Sequence, residues 1–437
     1  MRVKNGFARN GRRQVLKVGL VALAFLTGEA YAQQAEELLQ QADTALQKED
    51  YAGAAQALET YLLQKPEDYR AEFNLAYAYS FLGRRAEAIR RYQNVLSREK
   101  DLIPAHLNLG ILLLEEGNPA EAEPHLRAVV EQQPDNAKAL LRLAQVLSAL
   151  NRIEESRAFY EQLLTLEPDN ASAHFDLGKL LAETDPAAAE KHLRRALELD
   201  SSLETARLSL AAVLETRAAQ GADTLEEAAT IYRQILDAHP QREDLRMRLG
   251  QVYARQNRFS DAAKQWEMVR AGGDSSPELA QALLQVYLQS TGGKEKALPL
   301  IQEILAQDSS NAELWLLAGR LWIEKKQYRE AARQFQKVTE LRPEWSPGYT
   351  NLATALHLLK DYAGTIAALA KVAQLRQDTP GTYFLRAISL DQLRQRQPAL
   401  ENYQRFLETD DGKNPDQEFQ ARQRVRIISK EIQKGFK

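Results

Sequence analysis

Residues 107–136 read LNLGILLLEEGNPAEAEPHLRAVVEQQPDN, and this stretch decides the fold. The small residue Ala122 is followed four positions later by the large apolar residue Leu126. The apolar residues recur at the three- and four-residue spacing of amphipathic helices. Gly117 and Pro134 interrupt this pattern, because glycine suits the left-handed end of a helix and proline cannot continue one. The stretch therefore predicts a helix, a tight turn, a second helix and another turn.

The same pair of a small and a large residue recurs along the whole chain. Its spacing is 33 to 35 residues at every step except one of 39 residues. A fixed period of this length indicates a repeat architecture in which each unit packs only on its neighbours. The small residues are Ala54, Ala88, Ala122, Ser156, Ala189, Ala228, Ala262, Ala297, Ala331, Thr365 and Ala399. Their large partners are Leu58, Tyr92, Leu126, Tyr160, Leu193, Tyr232, Trp266, Ile301, Phe335, Leu369 and Tyr403.

A second set of small residues falls in the first helix of each unit, for example Ala76 and Gly110. Two helices approach closely only where both lack bulky side chains, so we expect the two sets to face each other. The large residue is expected to fill the gap to the next unit. Leu284 stands where the other units have glycine or alanine, which predicts looser packing in that unit.

This pattern closely resembles the tetratricopeptide repeat family over residues 33–411. The resemblance implies an all-α fold, a right-handed α-solenoid superhelix of about eleven helix-turn-helix repeats. The residues that carry it in the third unit are Asn108-Leu109-Gly110, Gly117, Ala122, Leu126 and Pro134-Asp135-Asn136. In the ninth unit they are Ala318-Gly319, Trp322, Ala331, Phe335 and Pro343.

Residues 412–437 are predicted to form a C-terminal capping helix over about 416–434, because an open solenoid needs a polar-backed end. Its expected apolar stripe is Phe419, Val425, Ile428 and Ile432. A basic recognition helix is the alternative interpretation. Glycine-rich segments at 221–224, 272–276 and 292–293 are either hinges or tolerated loop variation.

Residues 1–32 resemble a cleavable export signal. Six basic residues precede a short apolar run from Val18 to Leu26, and Ala30-Tyr31-Ala32 offers a cleavage site before Gln33. The run is about half the length of a membrane span. Arg12-Arg13 resembles a twin-arginine motif, and an ordinary export signal is the alternative. We therefore predict a periplasmic or secreted protein, without a stable membrane span after cleavage.

Composition excludes several classes of site. The chain contains no cysteine, so disulfides and thiolate chemistry are excluded. Without residues 1–32 it has 51 basic and 59 acidic side chains, a net charge of −8. This acidic balance argues against nucleic acid and anionic membranes as partners.

No catalytic or metal-binding motif is present. The six histidines show neither H-E-x-x-H nor any i, i+4 pair, and phosphate loops and nucleophile motifs are absent. We therefore predict no enzyme activity, no metal and no cofactor. The histidines are His106, His125, His174, His192, His239 and His357.

The family resemblance implies a concave face, lined by the first helices, that binds protein or peptide partners. This face is apolar near the N-terminus and rich in arginine further along. The predicted residues are Phe73, Asn74, Tyr77, Phe81, Leu107, Asn108, Ile111, Arg142, Arg248, Arg255 and Arg320. Phe73 and Leu107 are equally expected to pack between units. The predicted function is a non-catalytic scaffold of the bacterial envelope, and the alternative is a periplasmic adaptor in polysaccharide secretion or assembly.

Overall fold

The computed structural model describes residues 33–435, and the predicted export signal lies outside these residues. Within them, the regular secondary structure is entirely α-helical. The helices form two compact units, one ending at Ile231 and the other beginning at Tyr232. The boundary falls inside helix α12 (Leu225–Ala238).

The first unit contains eleven helices that precede α12 among the described residues. They are α1 (33–47), α2 (Tyr51–Gln64), α3 (Tyr69–Phe81), α4 (Arg85–Arg98), α5 (Ile103–Glu115), α6 (Pro119–Gln132), α7 (Ala137–Ala149), α8 (Ile153–Leu166), α9 (Ala171–Leu181), α10 (Pro186–Leu199) and α11 (Glu204–Ala219).

The second unit continues after α12 with the same alternation. Its helices are α13 (Glu243–Arg255), α14 (Phe259–Ala271), α15 (Pro277–Gln289), α16 (Lys294–Gln307), α17 (Ala312–Glu324), α18 (Tyr328–Leu341), α19 (Ser346–Leu358), α20 (Tyr362–Leu375), α21 (Pro380–Gln392), α22 (Arg396–Thr409) and α23 (Pro415–Gln433). The chain is thus an all-α solenoid in which odd-numbered and even-numbered helices pair into repeats.

Inside each unit, neighbouring repeats touch through their first helices. In the first unit α3 contacts α5, and α5 contacts α7. In the second unit α17 contacts α19, and α19 contacts α21. Continuous first-helix surfaces therefore extend over α3, α5 and α7 in the first unit and over α17, α19 and α21 in the second.

The small residues and their large partners form the core, as the period predicts. All eleven small residues are completely buried, and so are most of their large partners. The two hydroxyl-bearing substitutes are satisfied: Ser156 Oγ donates to the Ala144 carbonyl at 2.8 Å, and Thr365 Oγ1 donates to the Asp361 carbonyl at 2.8 Å. Burial of these hydroxyls therefore leaves no unpaired polar group.

The place of the large residue differs from our prediction. A Cβ added to Gly110 would lie 2.6 Å from Leu126 Cγ, and one added to Gly178 would lie 2.7 Å from Leu193 Cγ. The large residue therefore lies on the first helix of its own repeat, rather than only filling the gap to the next unit. The close approach requires glycine there, because any side chain would occupy the same space.

In nine of the eleven repeats, the turn between the two helices contains a left-handed residue five positions before the small residue. Gly83 has φ 72° and Gly117 has φ 79°, which confirms the predicted left-handed helix end. The same position, five residues before the small residue, is also left-handed at Asn151, Lys326 and Arg394, whereas Thr184 and Asp223 at this position are not left-handed. Repeat geometry thus imposes this backbone even on residues that disfavour it.

Leu284 coincides with a defect in the packing of the second unit. A cleft of about 570 Å³ opens between α15, α16 and α17, and Leu284, Leu288 and Leu317 are part of its lining. This agrees with the looser packing expected where a leucine replaces the usual small residue.

Helix α23 packs on α22 as an end helix. Ala421 and Ile428 are completely buried, and Val425 and Ile432 are half-buried against the same core. Phe419 is 67% exposed, so its assignment to the apolar stripe was wrong. The buried stripe begins instead at Ala421, which lies on the opposite side of the helix from Phe419.

Candidate partner-binding surface

The apolar part of the predicted surface lies on α3, where Phe73, Tyr77 and Phe81 follow one another at four-residue spacing and so share one face. The ring centroids of Tyr77 and Phe81 are 4.9 Å apart. Tyr77 is 37% exposed and Phe81 is 56% exposed. Two aromatic side chains of α3 are therefore available to a partner.

Tyr51, at the start of α2, completes this cluster. Its ring stacks on Phe81 with centroids 4.4 Å apart and an angle of 10° between the planes. Its centroid is 6.3 Å from that of Tyr77. Sequence reasoning missed Tyr51 because it belongs to a second helix, whereas only first helices were searched. We call Tyr51, Tyr77 and Phe81 the aromatic cluster.

Phe73 and Leu107 have a different environment. Both are half-buried and pack against the core of the first unit. The Phe73 ring meets the Tyr92 ring edge-on, with centroids 5.5 Å apart. Both residues therefore pack against the scaffold, and the ring contact of Phe73 lies within its own repeat.

Three further residues of the predicted surface, on α3 and α5, lie beside this packing region. Asn74, Asn108 and Ile111 are half-buried. Asn108 Nδ2 donates a hydrogen bond to the Tyr92 hydroxyl at 3.1 Å. Burial raises the pKa of Tyr92 to about 12, so this hydroxyl stays protonated at neutral pH. Asn108 is thus held by the scaffold on one side.

Arg142 begins a polar chain across two first helices. Its Nη1 donates to Gln145 Oε1 at 3.0 Å, and Gln145 Nε2 donates to Asp176 Oδ2 on α9 at 2.8 Å. Burial, reinforced by the charge of Asp176, raises the pKa of Tyr160. Arg142 Nε is buried and has no hydrogen-bond partner among residues 33–435. This chain gives α7 and α9 a fixed polar surface.

The remaining predicted arginines lie in the second unit. Arg248 and Arg255 are exposed on α13, and Arg320 is exposed on α17. Arg320 Nε lies 3.5 Å from Asn351 Oδ1 on α19. The structure thus groups the predicted aromatic, amide and apolar residues with Arg142 in one unit and the other three arginines in the other.

Two pairs of histidines were not anticipated. His106 Nδ1 lies 2.9 Å from His125 Nδ1, joining α5 to α6. His174 Nδ1 lies 3.0 Å from His192 Nδ1, joining α9 to α10. The pairs occupy matching positions two repeats apart. The recurrence of two histidines at these positions is the feature of the sequence from which the pairs could have been predicted.

Backbone carbonyls fix the tautomers of these pairs. His106 Nε2 donates to the Lys100 carbonyl at 2.7 Å, and His174 Nε2 donates to the Pro168 carbonyl at 3.0 Å. A neutral ring with a proton on Nε2 accepts at Nδ1, so the partner imidazole is the donor within each pair. Burial first, and then charge on the partner imidazole, lowers the pKa of His125 and of His192.

The same two positions hold other pairs in other repeats. Glu72 Oε1 accepts from Arg91 Nη1 at 3.3 Å, and Arg246 Nη1 donates to Gln265 Oε1 at 3.3 Å. We call this position the paired slot. In the repeat between the two histidine pairs it is occupied by Leu140 and Phe159. The slot therefore accepts charged, imidazole, amide and apolar side chains.

Neither a candidate membrane-spanning helix nor a group of metal ligands is found among residues 33–435. No helix among them is long and apolar enough to cross a bilayer. No three histidine, aspartate or glutamate side chains in this part of the chain are grouped so as to hold a metal ion.

Comparison with known families identifies the repeats. One tetratricopeptide repeat profile matches residues 39–80 and 75–137, and a second matches residues 113–177, 219–286 and 295–356. Together these matches cover more than half of the chain. The chain belongs to the tetratricopeptide repeat family.

Several solved structures are similar to this tetratricopeptide repeat protein. MamA 41-end from Desulfovibrio magneticus RS-1 is 22% identical, with 39% of this chain and 97% of that chain covered and a TM-score of 0.37. The C-terminal part of a TPR repeat-containing protein from Cytophaga hutchinsonii is 14% identical, with 56% and 98% covered and a TM-score of 0.47. Yeast Tom70 is 14% identical, with 91% and 96% covered and a TM-score of 0.32. No curated protein sequence matches this chain.

Tetratricopeptide repeats generally act as non-catalytic scaffolds that bind proteins or peptides. Their stacked helices present an extended surface rather than an enclosed cavity. Family membership therefore places this protein among interaction scaffolds.

Proposed function

We propose that this protein is a non-catalytic scaffold of the bacterial cell envelope, which binds protein or peptide partners on its first-helix surface. The observation that carries the proposal is the aromatic cluster of Tyr51, Tyr77 and Phe81. Exposed aromatic side chains beside a packed core are typical anchors of protein interfaces. The proposed partner therefore inserts apolar side chains against Tyr77 and Phe81.

The polar chain on α7 and α9 supports a second contact in the same unit. Arg142, Gln145 and Asp176 are fixed by mutual hydrogen bonds, so a partner meets them in a preformed arrangement. An extended peptide crossing from α3 towards α9 would meet aromatic groups first and amide and charged groups later. Arg248, Arg255 and Arg320 are proposed to contact acidic groups of partners on the second unit.

The polysaccharide alternative has no specific observation in its favour. Asn74, Asn108 and Asn351 match positions that form an asparagine ladder in glycosyltransferase-linked repeats. Here Asn108 donates to Tyr92, and Asn351 Nδ2 donates to the Pro347 carbonyl at 2.8 Å. Both amides thus have partners inside the scaffold.

The envelope location is proposed from residues 1–32 alone. We expect the protein to be recovered by osmotic shock, with Gln33 as its first residue. Recovery of an uncleaved chain only from the cytoplasm would contradict export.

The binding proposal is tested with Tyr77→Ala combined with Phe81→Ala. Both side chains are exposed, so the helical circular dichroism should change little while capture of envelope proteins falls by about tenfold or more. The matched control is Leu63→Ala with Leu166→Ala, which removes two other exposed apolar side chains of the same unit. Equal capture by the wild-type chain and the cluster variant would refute the proposed surface.

A further inference from the structure

Helix α23 carries a row of cations along its solvent-exposed face. Arg422, Arg426, Lys430 and Lys434 follow one another at four-residue spacing, and all are exposed. The row is about 18 Å long at 1.5 Å per residue and turns by about 40° around the helix axis at each step, so its members lie within about 120° of one another. We call these four residues the basic row.

The orientation of α23 is fixed by its buried face. Ala421 and Ile428 are completely buried. Arg424 donates through Nε and Nη2 to the two carboxylate oxygens of Asp391, at 2.6 and 2.7 Å. Since Asp391 is only 8% exposed, this pair anchors the helix to α21. The basic row therefore cannot turn inward.

Two large apolar side chains share the exposed face with the basic row. Phe419 is 67% exposed and Ile427 is 41% exposed. At 100° per residue, both lie within about 60° of Lys430 around the helix axis. The exposed face thus combines four cations with an aromatic and an aliphatic side chain.

Acidic side chains border this face only at its start, where Asp416 and Glu418 lie in the first turn of α23. From Phe419 to Lys434 the only acidic residue is Glu431, which pairs with Arg396 at 2.8 Å. Arg422 lies 3.7 Å from Glu418 in the preceding turn. Within residues 33–435, the other three members of the basic row form no ion pair. The face is therefore positive although the chain as a whole carries a net charge of −3.

We propose that the exposed face of α23 docks the protein on an anionic phospholipid bilayer. The basic row contacts lipid phosphates, and Phe419 and Ile427 enter the interfacial layer. Basic helices with exposed aromatic or aliphatic side chains bind such surfaces through electrostatic attraction and shallow insertion. The four cations and the two apolar side chains lie within about 140° of the helix circumference. A single outward helix can therefore present them together to a plane, whereas a protein anchor requires a pocket to fill.

The acidic composition argued against an anionic membrane as a partner. That argument used only the net charge of the whole surface and not the local charge of α23. The attraction decays within about one Debye length, about 8 Å in physiological salt, so only charges close to the bilayer matter. A local positive face therefore outweighs distant acidic side chains.

Vesicle co-sedimentation of the full chain tests the proposal. The vesicles are pure phosphatidylcholine, or phosphatidylcholine with about one-third phosphatidylglycerol. The decisive variant replaces the basic row: Arg422→Gln, Arg426→Gln, Lys430→Gln and Lys434→Gln. The matched control removes the same charge from scattered exposed positions: Lys325→Gln, Arg329→Gln, Lys360→Gln and Lys371→Gln. Residues 1–32 are identical in all three proteins, so their contribution cancels.

We expect the row variant to bind anionic vesicles about tenfold more weakly than the wild-type chain, and the control to stay within about twofold. Phe419→Ala should weaken binding by a smaller factor, and about 0.5 M NaCl should abolish the difference between row variant and control. Equal losses in the row variant and the control would overturn the proposal. The proposal would also be overturned if the wild-type chain bound polyglutamate more tightly than the row variant did, while the two bound anionic vesicles equally. That result would indicate an acidic protein partner.

Discussion

At the residue scale, the repeat depends on a glycine or alanine that touches a large side chain of its own repeat. The period of the sequence predicted which residues are small and which are large. It did not predict that Leu126 lies directly on Gly110, because spacing along the chain gives the face of a helix but not the depth of its packing. The contact appears only when the two helices are placed together.

Gly319 provides a direct test of this contact. A Cβ at this position would overlap the Phe335 ring, and Phe335 is completely buried. We expect Gly319→Ala to lower the free energy of unfolding by about 1–3 kcal/mol, because the core has no room for an added methyl group. The measurement is urea denaturation followed by circular dichroism.

Gly381→Ala is the matched control, since a Cβ there meets nothing within 4 Å and lies in the first turn of α21. This change should raise stability by about 0.5–1 kcal/mol through helix propensity. If both substitutions shifted stability in the same direction, steric contact with Phe335 would not be the reason for glycine.

At the scale of a helix, α23 was predicted from its length and its apolar stripe, and the structure confirms an end helix. Val425, Ile428 and Ile432 were assigned correctly, whereas Phe419 was not. The error has a simple cause: Phe419 is apolar, but it lies about half a turn before the first buried residue, Ala421, and so on the other side of the helix. The anchoring pair of Arg424 and Asp391 was also missed, since 33 residues separate its members.

Asp391→Asn should loosen this helix. Asp391 accepts from Arg424 and from Arg396 Nη1 at 2.9 Å. Its replacement leaves the Arg424 guanidinium without a carboxylate partner and leaves Arg396 with Glu431 alone. We expect a loss of about 2–3 kcal/mol, because charged hydrogen bonds in a half-buried setting are at stake. Amide hydrogen exchange should accelerate selectively in α23.

The control for this change is Asp411→Asn. Asp411 pairs with Lys413 at an exposed position, where solvent screens the interaction. The melting temperature and the exchange in α23 should therefore stay unchanged. Comparable destabilisation by both substitutions would contradict the anchoring role of Asp391.

At the scale of the whole molecule, the period alone predicted eleven pairs of helices, and the helix bounds confirm these pairs. Partner-binding residues could be predicted less well, because a repeat pattern reports the shared core and not the features of single repeats. The aromatic cluster and the histidine pairs are such features. They arise where the same slot or face is filled differently in neighbouring repeats.

The histidine pairs predict a fall in stability on mild acidification. Burial lowers the pKa of His125, His192 and His357 in the folded protein, from an ordinary value of 6.5 in the unfolded chain. The unfolded chain then binds more protons, so stability is complete above about pH 6.5 and declines as the pH falls below it. The melting temperature should be lower at pH 5.5 than at pH 7.5. The carboxylates of lowered pKa, such as Glu123 and Asp68, lose their charge only below this window.

A neighbouring repeat supplies the control for the acid effect. Leu140 and Phe159 fill the paired slot between the two histidine pairs, so His106→Leu with His125→Phe and His174→Leu with His192→Phe copy a native solution. This variant should lose less melting temperature between pH 7.5 and pH 5.5 than the wild-type chain. An identical loss would assign the acid effect to other groups.

The paired slot also has a consequence for how such a chain changes over evolutionary time. Its two members lie 18 or 19 residues apart, yet the combinations described above are matched: acid with cation, arginine with glutamine, imidazole with imidazole, or two apolar groups. A lone substitution leaves a buried group unmatched, whereas a joint exchange preserves the repeat. Related sequences should therefore show correlated replacement at these two positions, repeat by repeat. Both residues of a pair should also be exchangeable together from one repeat to another.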